Sequence, residues 1–427
     1  MGLALVIVLP YLLKSFRRER QVLEAQQQSL EYGLYRPASL HPVVDPNQCI
    51  GTGNCVSVCP EKDVLGLLSG QAQPVSPARC IGHGLCERSC PVDAIQLVFG
   101  TLKRGVDLPR IQENFETNVP GLYVVGELGG MGLIRNAFEQ GRQCIAGMPA
   151  PGGQEDVLDV LIVGCGPAGL SCALEAARRG LSYVVIEKDG VGGTVLNYPR
   201  KKLVMTEPIQ LTDSIRMDRR NFVKEELLDI WKRLVEEEAL KVREHERVLS
   251  VDRTAAGHFE VKTTQASFRT RRVVLAIGRR GIPRKLDLPG EDGPNVHYAL
   301  QDASLFAGDR VLVVGGGDSA VEAAVSLSEE SGTRVVLSYR RERFSRIKPD
   351  NNARLQEAVE SGRIELALGS NVVNISADAV EIGFDDGSTR SIENDFVFIF
   401  AGGSLPTPFL QACGIIIDTV FGSKVGG

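Results

Sequence analysis

The apolar positions of this chain fall into blocks with different periods. Residues 157–188, VLDVLIVGCGPAGLSCALEAARRGLSYVVIEK, run an apolar strand into a glycine turn, then a helical spacing, then a second apolar strand. The same order returns at 310–341, RVLVVGGGDSAVEAAVSLSEESGTRVVLSYRR. Each block predicts a βαβ unit with parallel strands. Between them, KEELLDIWKRLVEEEAL predicts a helix, and HFEVKTT and RRVVLAIG predict strands. DFVFIFAGG and GIIID predict further strands near the end. Residues 101–150 are glycine-rich around Gly126–Gly132, then helix-like in LIRNAFEQGRQCIAG, and PAPGG follows as a linker. Residues 39–100 have another texture, short apolar runs broken by cysteines, and 21–38 read as a polar linker.

The first thirteen residues, MGLALVIVLPYLL, are apolar, and KSFRRERQ follows. Thirteen are too few to span a bilayer, which needs about 20. No basic segment precedes the run and no small-residue cleavage site follows it, so it does not read as a signal peptide. Lys14, Arg17, Arg18 and Arg20 would keep the following chain on the cytoplasmic side. The expectation is an N-terminal membrane anchor; a misassigned start and an irrelevant tail is the alternative.

Composition sharpens this only in places. Apolar residues at 43% and charged residues at 24% describe a folded chain of two to three domains. A net charge of −5 gives no case for nucleic-acid binding. Six of the ten cysteines lie between residues 49 and 90, regularly spaced, which reads as metal ligation in a reducing compartment rather than disulfides.

Gly164, Gly166 and Gly169 fit G-x-G-x-x-G directly after an apolar strand. The first glycine allows a tight turn, the second lets a pyrophosphate approach the backbone, and the third lets helix pack on strand. Glu187 ends the second strand, where an acid binds a ribose hydroxyl. The second unit has Gly315 and Gly317, with Ala320 in third place. It carries no acid at the matching point but Arg340, Arg341 and Arg346, which suit a 2′-phosphate and favour NADPH over NADH.

Two such motifs about 150 residues apart resemble the two-dinucleotide flavoprotein disulfide-reductase superfamily, in its thioredoxin-reductase-like branch. GTVLNYPRKKLVMTEP, headed by Gly193 and Thr194, resembles the bacillithiol-disulfide-reductase relatives in particular. The resemblance covers residues 155–415 and implies FAD at the first site and NAD(P)H at the second. One piece is out of order. FETNVPGLYVVGELGG, residues 115–130, is similar to the family's C-terminal T-x-x-P-G-L-[FY]-x-x-G-[DE] segment, whose acid binds the flavin ribitol; here that is Glu127, beside Gly126. The resemblance thus implies a circular permutation, with PAPGG joining the old ends. The alternative is a chance PGLY in a separate domain.

No C-x-x-C pair occurs, so the thioredoxin-reductase dithiol is missing. Ala168 stands where the bacillithiol-type relatives carry a cysteine, and Cys165 lies in the same turn at another offset.

CIGTGNCVSVCP, residues 49–60, and CIGHGLCERSCP, residues 80–91, repeat at an interval of 31. Both follow C-x2-C-x2-C-x3-C-P except at the second cysteine, which is Thr52 in one and His83 in the other. The repeat resembles a bacterial two-cluster ferredoxin domain, in which the last cysteine of each run serves the other cluster. That resemblance implies Cys49, Cys55 and Cys90 at site one and Cys80, Cys86 and Cys59 at site two, with His83 a further candidate ligand. Three thiolates suit a 3Fe–4S cluster, or a 4Fe–4S cluster with one non-cysteine ligand. A zinc set of Cys80, His83, Cys86 and Cys90, and clusters lost by decay, are the other readings.

The expected fold class is α/β: two Rossmann-like dinucleotide-binding domains plus an N-terminal α+β ferredoxin-like domain. The expected layout is anchor and linker over 1–40, iron–sulfur domain over 41–100, FAD domain over 101–300 completed by 391–427, and NAD(P)H domain over 301–390. The expected activity is an FAD-dependent NAD(P)H oxidoreductase on the cytoplasmic side of a membrane. It passes electrons through two iron–sulfur clusters to or from a ferredoxin, a quinone-linked protein or another redox protein, with direction open and a homodimer possible. Hydride transfer belongs to the cofactors, so no catalytic side chain is assigned. The alternatives are a disulfide reductase using Cys165 and a low-turnover redox sensor.

Overall fold

The computed structural model describes residues 2–31, 35, 37, 40–61, 63–101, 105–130, 132–150, 152, 156–279, 282–344 and 347–424. The chain forms two compact units, residues 1–108 with 418–427, and residues 109–417.

The smaller unit begins with α1, Gly2–Glu31. The polar stretch expected as a linker is helical up to Glu31, because QVLEAQQQSLE holds strong helix formers and neither Gly nor Pro. Among the described residues no helix is long and apolar enough to cross a membrane, so the expected membrane attachment has no spanning helix to rest on. Strand Leu40–Val44 pairs antiparallel with Ile95–Phe99, and Leu65–Leu68 forms a hairpin with Gln71–Pro74. Two short helices, α2 (Asn54–Val58) and α3 (Leu85–Arg88), follow the two cysteine loops. Leu40, Leu65, Ile95, Leu97 and Phe99 form the core, with Cys55 and Cys86 built into it.

The larger unit carries two parallel five-stranded sheets. In the first the order is Val242–Arg243, Tyr183–Ile186, Val160–Val163, Val273–Leu275, Leu122–Val124. The last strand precedes all the others in sequence, yet it pairs in parallel with Val273–Leu275, Leu122 beside Val273. Its helix α4, Ile134–Ala146, packs on α5, Pro167–Arg178. Gly141 makes this possible: a Cβ there would come within 2.3 Å of the Ala168 carbonyl oxygen. Helix α6, Lys224–Glu237, buries Leu227, Trp231 and Leu234 in the same core.

The second sheet runs Val296–His297, Phe396–Ile399, Arg310–Val314, Arg334–Tyr339, Ile364–Leu368, all parallel. It carries α7, Asp318–Ser328, and α8, Pro349–Glu360. Helix α9, Thr407–Ala412, then returns the chain to the first sheet, where Leu410 and Ile415 pack in one cluster with Leu122 and Val124. From Asp418 onward the chain belongs to the smaller unit, where Ser423 and Lys424 pair with Phe99 and Val98.

Candidate functional site

The first glycine turn joins strand Val160–Val163 to α5. Gly164 sits at φ +102°, where a Cβ would come within 2.5 Å of the Ala276 oxygen. Gly169 is closer still: its Cβ would stand 1.9 Å from the Gly164 oxygen. Gly166 is the N-cap of α5 and Pro167 its first residue, a position that needs no N–H partner. Gly193, at φ +55°, lies against Gly166, its Cβ position 3.1 Å from the Gly166 Cα. Thr194 follows, its Oγ1 facing Gly278. Glu187 is 4% exposed, and its carboxylate accepts the Cys165 N–H at 2.6 Å and the Asp189 N–H at 3.0 Å. Gly126, at φ +77°, rests on Ala168 in the first turn of α5, and its N–H donates to Gln140 Oε1 at 2.8 Å. Glu127 is half-buried. The out-of-order segment thus reaches the same helix N-terminus as the glycine turn. The result is a backbone floor free of side chains, with helix N–H groups at one end and an acid at the other, which fits a dinucleotide pyrophosphate and its ribose.

The second turn repeats the design. Gly315 has φ +149°, and a Cβ there would meet the Phe400 oxygen at 2.7 Å and the Ala320 methyl at 2.9 Å. Ala320 is fully buried, so it does the packing work of a third glycine. Gly317 caps α7 and has open space where a side chain would be. Arg340 and Arg341 are exposed just beyond the strand Arg334–Tyr339; Arg346 lies outside the described residues. Two neighbours carried no sequence signal. The Tyr339 ring lies on Gly316 and stacks on Phe344 at 5.1 Å. Asp318, at the start of α7, accepts the Lys348 N–H and the Asn351 Nδ2, each at 2.7 Å.

In the smaller unit, Cys49 and Cys55 of the first run and Cys90 of the second line one pocket, together with Thr52. Thiols of opposite repeats therefore meet. The Ala72 N–H donates to Cys49 Sγ at 3.3 Å and the Ala94 N–H to Cys90 Sγ at 3.2 Å. Burial pushes the Cys80 thiol up to about 12 and Cys86 to about 11, and Cys59 lies near enough to add to both. Cys59, of the first run, is thus near Cys80 and Cys86 of the second. Thr52 stands between Gly51 and Gly53, both left-handed, and His83 between Gly82 and Gly84, also left-handed. The two loops share one backbone shape and differ in the side chain they present. His83 is half-buried, and its carbonyl accepts Arg88 Nη2 at 3.1 Å. Among the described residues no three His, Cys, Asp or Glu side chains are placed to hold a single ion, and Cys90 lines a pocket with Cys49 and Cys55. In a cluster each thiolate takes a different iron, so the thiols stand around the group rather than on one point. The residues present fit that requirement.

The four cysteines of the larger unit, Cys144, Cys165, Cys172 and Cys413, are all buried. Burial, then the charges of Glu187 and Glu244, push the Cys165 thiol far above its ordinary value.

Two dinucleotide turns on two parallel sheets, in a chain that also carries a doubled cysteine unit, define an iron–sulfur flavoprotein of the pyridine-nucleotide type. Residues 161–421 match the model of the pyridine nucleotide-disulphide oxidoreductase family, and the chain belongs to that family. Residues 41–91 match the 4Fe-4S dicluster domain. The chain is similar to bacilliredoxin reductase Bdr of Bacillus subtilis, 30% identical over 262 residues, which cover 60% of this chain and 81% of that one. It is 32% identical to a ferredoxin–NADP reductase of Thermus thermophilus over 262 residues, 58% of this chain and 73% of the relative. The solved bacillithiol disulfide reductase Bdr (YpdA) from Staphylococcus aureus superposes with a TM-score of 0.54 at 29% identity, over 62% of this chain and 82% of that one. The protein is an FAD-dependent pyridine-nucleotide oxidoreductase.

Proposed function

We propose that this chain moves electrons between NADPH and an external one-electron carrier of ferredoxin type, by way of FAD and two iron–sulfur clusters. When bound, FAD exchanges a hydride with NADPH and single electrons with the clusters. The chain's own residues supply position. The α5 N-terminus, Gly166 and Gly193 would hold the flavin pyrophosphate, Glu187 would bind its ribose, and Gly126–Glu127 would lie toward the ribitol. Gly317 leaves the second pyrophosphate room at α7, and Arg340 and Arg341 pair with a 2′-phosphate. Cys49, Cys55 and Cys90 would hold one cluster, with Thr52 in the place of a fourth thiolate. Cys80, Cys86 and Cys59 would hold the other, with His83 in the matching sequence position as a further candidate ligand.

The observation that carries this reading is the single pocket shared by Cys49, Cys55, Cys90 and Thr52. It is what a cross-ligated cluster with three thiolates needs. The ferredoxin–NADP reductase relative supports the carrier. The Bdr relatives support a disulfide substrate instead, but every cysteine of the larger unit is buried and Cys165 is held as a thiol. The apolar run before Lys14 supports attachment to the cytoplasmic face of a membrane.

Anaerobic EPR, as isolated and after NADPH, with the visible spectrum and iron content, tests the proposal. A 3Fe-type signal as isolated, with reduced-cluster signals growing on NADPH, supports it. Flavin that bleaches with NADPH in a protein that takes up no iron, even on anaerobic reconstitution, refutes it.

A further inference from the structure

One side of α1 is fastened to the smaller unit. Glu19 Oε1 accepts the Ser69 N–H at 2.6 Å, and Gln26 Nε2 donates to the Pro74 carbonyl at 2.9 Å. Val22 packs on Gly66 so closely that a Cβ there would come within 2.4 Å of Val22 Cγ1. Ser29, on the same side, is 2% exposed. These positions share a face at the helical period. The fastening begins at Glu19, one residue after Arg18, and the helix is continuous from Gly2 through it. No linker separates the N-terminal run from the cluster unit.

Before Glu19 the helix changes character. Leu13 is 49% exposed and Phe16 is 67% exposed, amid exposed Lys14, Arg17 and Arg18. Arg20 is occupied by Glu24 at 2.9 Å. Ahead of Leu13 the sequence MGLALVIVLPYL holds no charged residue and is almost wholly apolar, a composition that avoids water. Apolar turns, an aromatic and a basic collar, in that order, match the succession from hydrocarbon through interface to anionic headgroups.

We propose that Phe16 sits in the interface of an anionic bilayer with Lys14, Arg17 and Arg18 on its headgroups. The fastening at Glu19–Ser29 then holds the cluster unit directly above them. Arg18 and Val22 are four residues apart, about 6 Å of helix rise. The anchor is therefore a stiff post and not a tether, and the cluster unit meets its carrier at the membrane surface. A second copy of the chain is a poorer occupant. A parallel pair would set Arg17 against Arg17, and the acids within reach, Glu19 and Glu24, are already engaged. The inference rests on the membrane part of the proposed function.

The test uses the full chain with one indole added at a time, Phe16→Trp or Leu30→Trp. The native Trp231 is fully buried and gives a constant background. The probes are vesicles of phosphatidylcholine alone and of phosphatidylcholine with phosphatidylglycerol. The expected result is a blue shift of the indole at 16 that is larger on the anionic vesicles than on the neutral ones, the difference removed by salt, with the indole at 30 unmoved. Arg17→Gln and Arg18→Gln should each weaken vesicle affinity about fivefold. A shift at both positions means that the helix lies flat and overturns the post. Equal shifts on neutral and anionic vesicles overturn the headgroup contact. A concentration-dependent shift without vesicles assigns the surface to a second copy and overturns the proposal. No shift on either vesicle removes the membrane reading itself, while the EPR test of the redox reading stands apart.

Discussion

Gly126 rests directly on Ala168: a Cβ on the glycine would stand 3.0 Å from the alanine methyl. The two residues come from segments whose order along the chain is reversed relative to the resembled family. Gly126 belongs to the strand–helix piece 122–146, and Ala168 to the first turn of α5. A flavin site built as proposed would need them to meet, so a small change at the joint between these segments tests it.

Gly141 is the place to make that change. Gly141→Val would drive its side chain into the Ala168 carbonyl and the Cys172 N–H, at 2.3 and 3.1 Å from the Cβ position. Overpacking of this kind costs about 1–3 kcal/mol. Trp231, whose ring centroid lies 6.2 Å from that of Phe138 on α4, reports the result. The expected outcome is a lower unfolding midpoint by Trp fluorescence and loss of flavin on gel filtration. Unchanged stability with flavin retained would mean that α4 does not depend on this contact.

Restoring cysteine at one gap tests the cluster assignment. Thr52→Cys gives the pocket of Cys49, Cys55 and Cys90 a fourth thiolate. The expected outcome is loss of any 3Fe-type EPR signal, a rise in iron per chain, and no change in the signal assigned to Cys80, Cys86 and Cys59. His83→Cys should alter only the second signal. A Thr52→Cys change that moves both signals, or neither, contradicts the placing of Thr52 and His83 at two separate clusters.

If Arg340 and Arg341 pair with a 2′-phosphate as proposed, they set the choice of pyridine nucleotide. Arg340 and Arg341 are exposed at the strand end where a 2′-phosphate would lie. A hydrogen bond to a charged group is worth about 1.5–3 kcal/mol, so Arg341→Ala should raise KM for NADPH by roughly tenfold or more. KM for NADH should hardly move, and so should kcat with either. An equal loss with both nucleotides would show that Arg341 supports the loop rather than the phosphate; its carbonyl does accept the Gly369 N–H at 3.1 Å.

Much of this was legible in the sequence, for physical reasons. A glycine turn after an apolar strand is a local signal, because the backbone conformation at Gly164 and Gly315 excludes a side chain whatever lies around it. The cysteine repeat is legible too, because its spacing sets which thiols share a loop. What the sequence did not disclose depends on contacts between distant residues. Tyr339 covering Gly316, and Asp318 bound by Lys348 and Asn351, follow from how α8 and the loop before it settle on α7. The helix through residues 21–31 was hidden by its polarity: Val22 and Gln26 face the hairpin and Ser29 is buried, but Gln and Glu fill most other positions. Nor does GIIIDTVFGSKVGG reveal that it leaves the larger unit at Asp418, since the strand signal is the same on either side.

His297 makes the second sheet sensitive to pH. Its ring lies among Phe306, Phe396 and Phe398, with centroids 5.8, 5.8 and 5.2 Å away. Its Nε2 is buried and has no hydrogen-bond partner among the described residues. Burial lowers its pKa below the ordinary 6.5. The unfolded chain therefore takes up this proton at a higher pH than the folded one. Above 6.5 both states are neutral and His297 leaves stability independent of pH. As pH falls below 6.5 the unfolded state gains protons first, and stability declines until the lower folded pKa is passed, where the loss levels off. His297→Leu keeps the apolar packing and removes the titration. Thermal unfolding followed from pH 7 downward should decline less steeply in the variant, by at most the slope of one proton. Parallel declines in the two proteins would show that His297 titrates in the folded state as it does in the unfolded one, with the aromatic cage open to water.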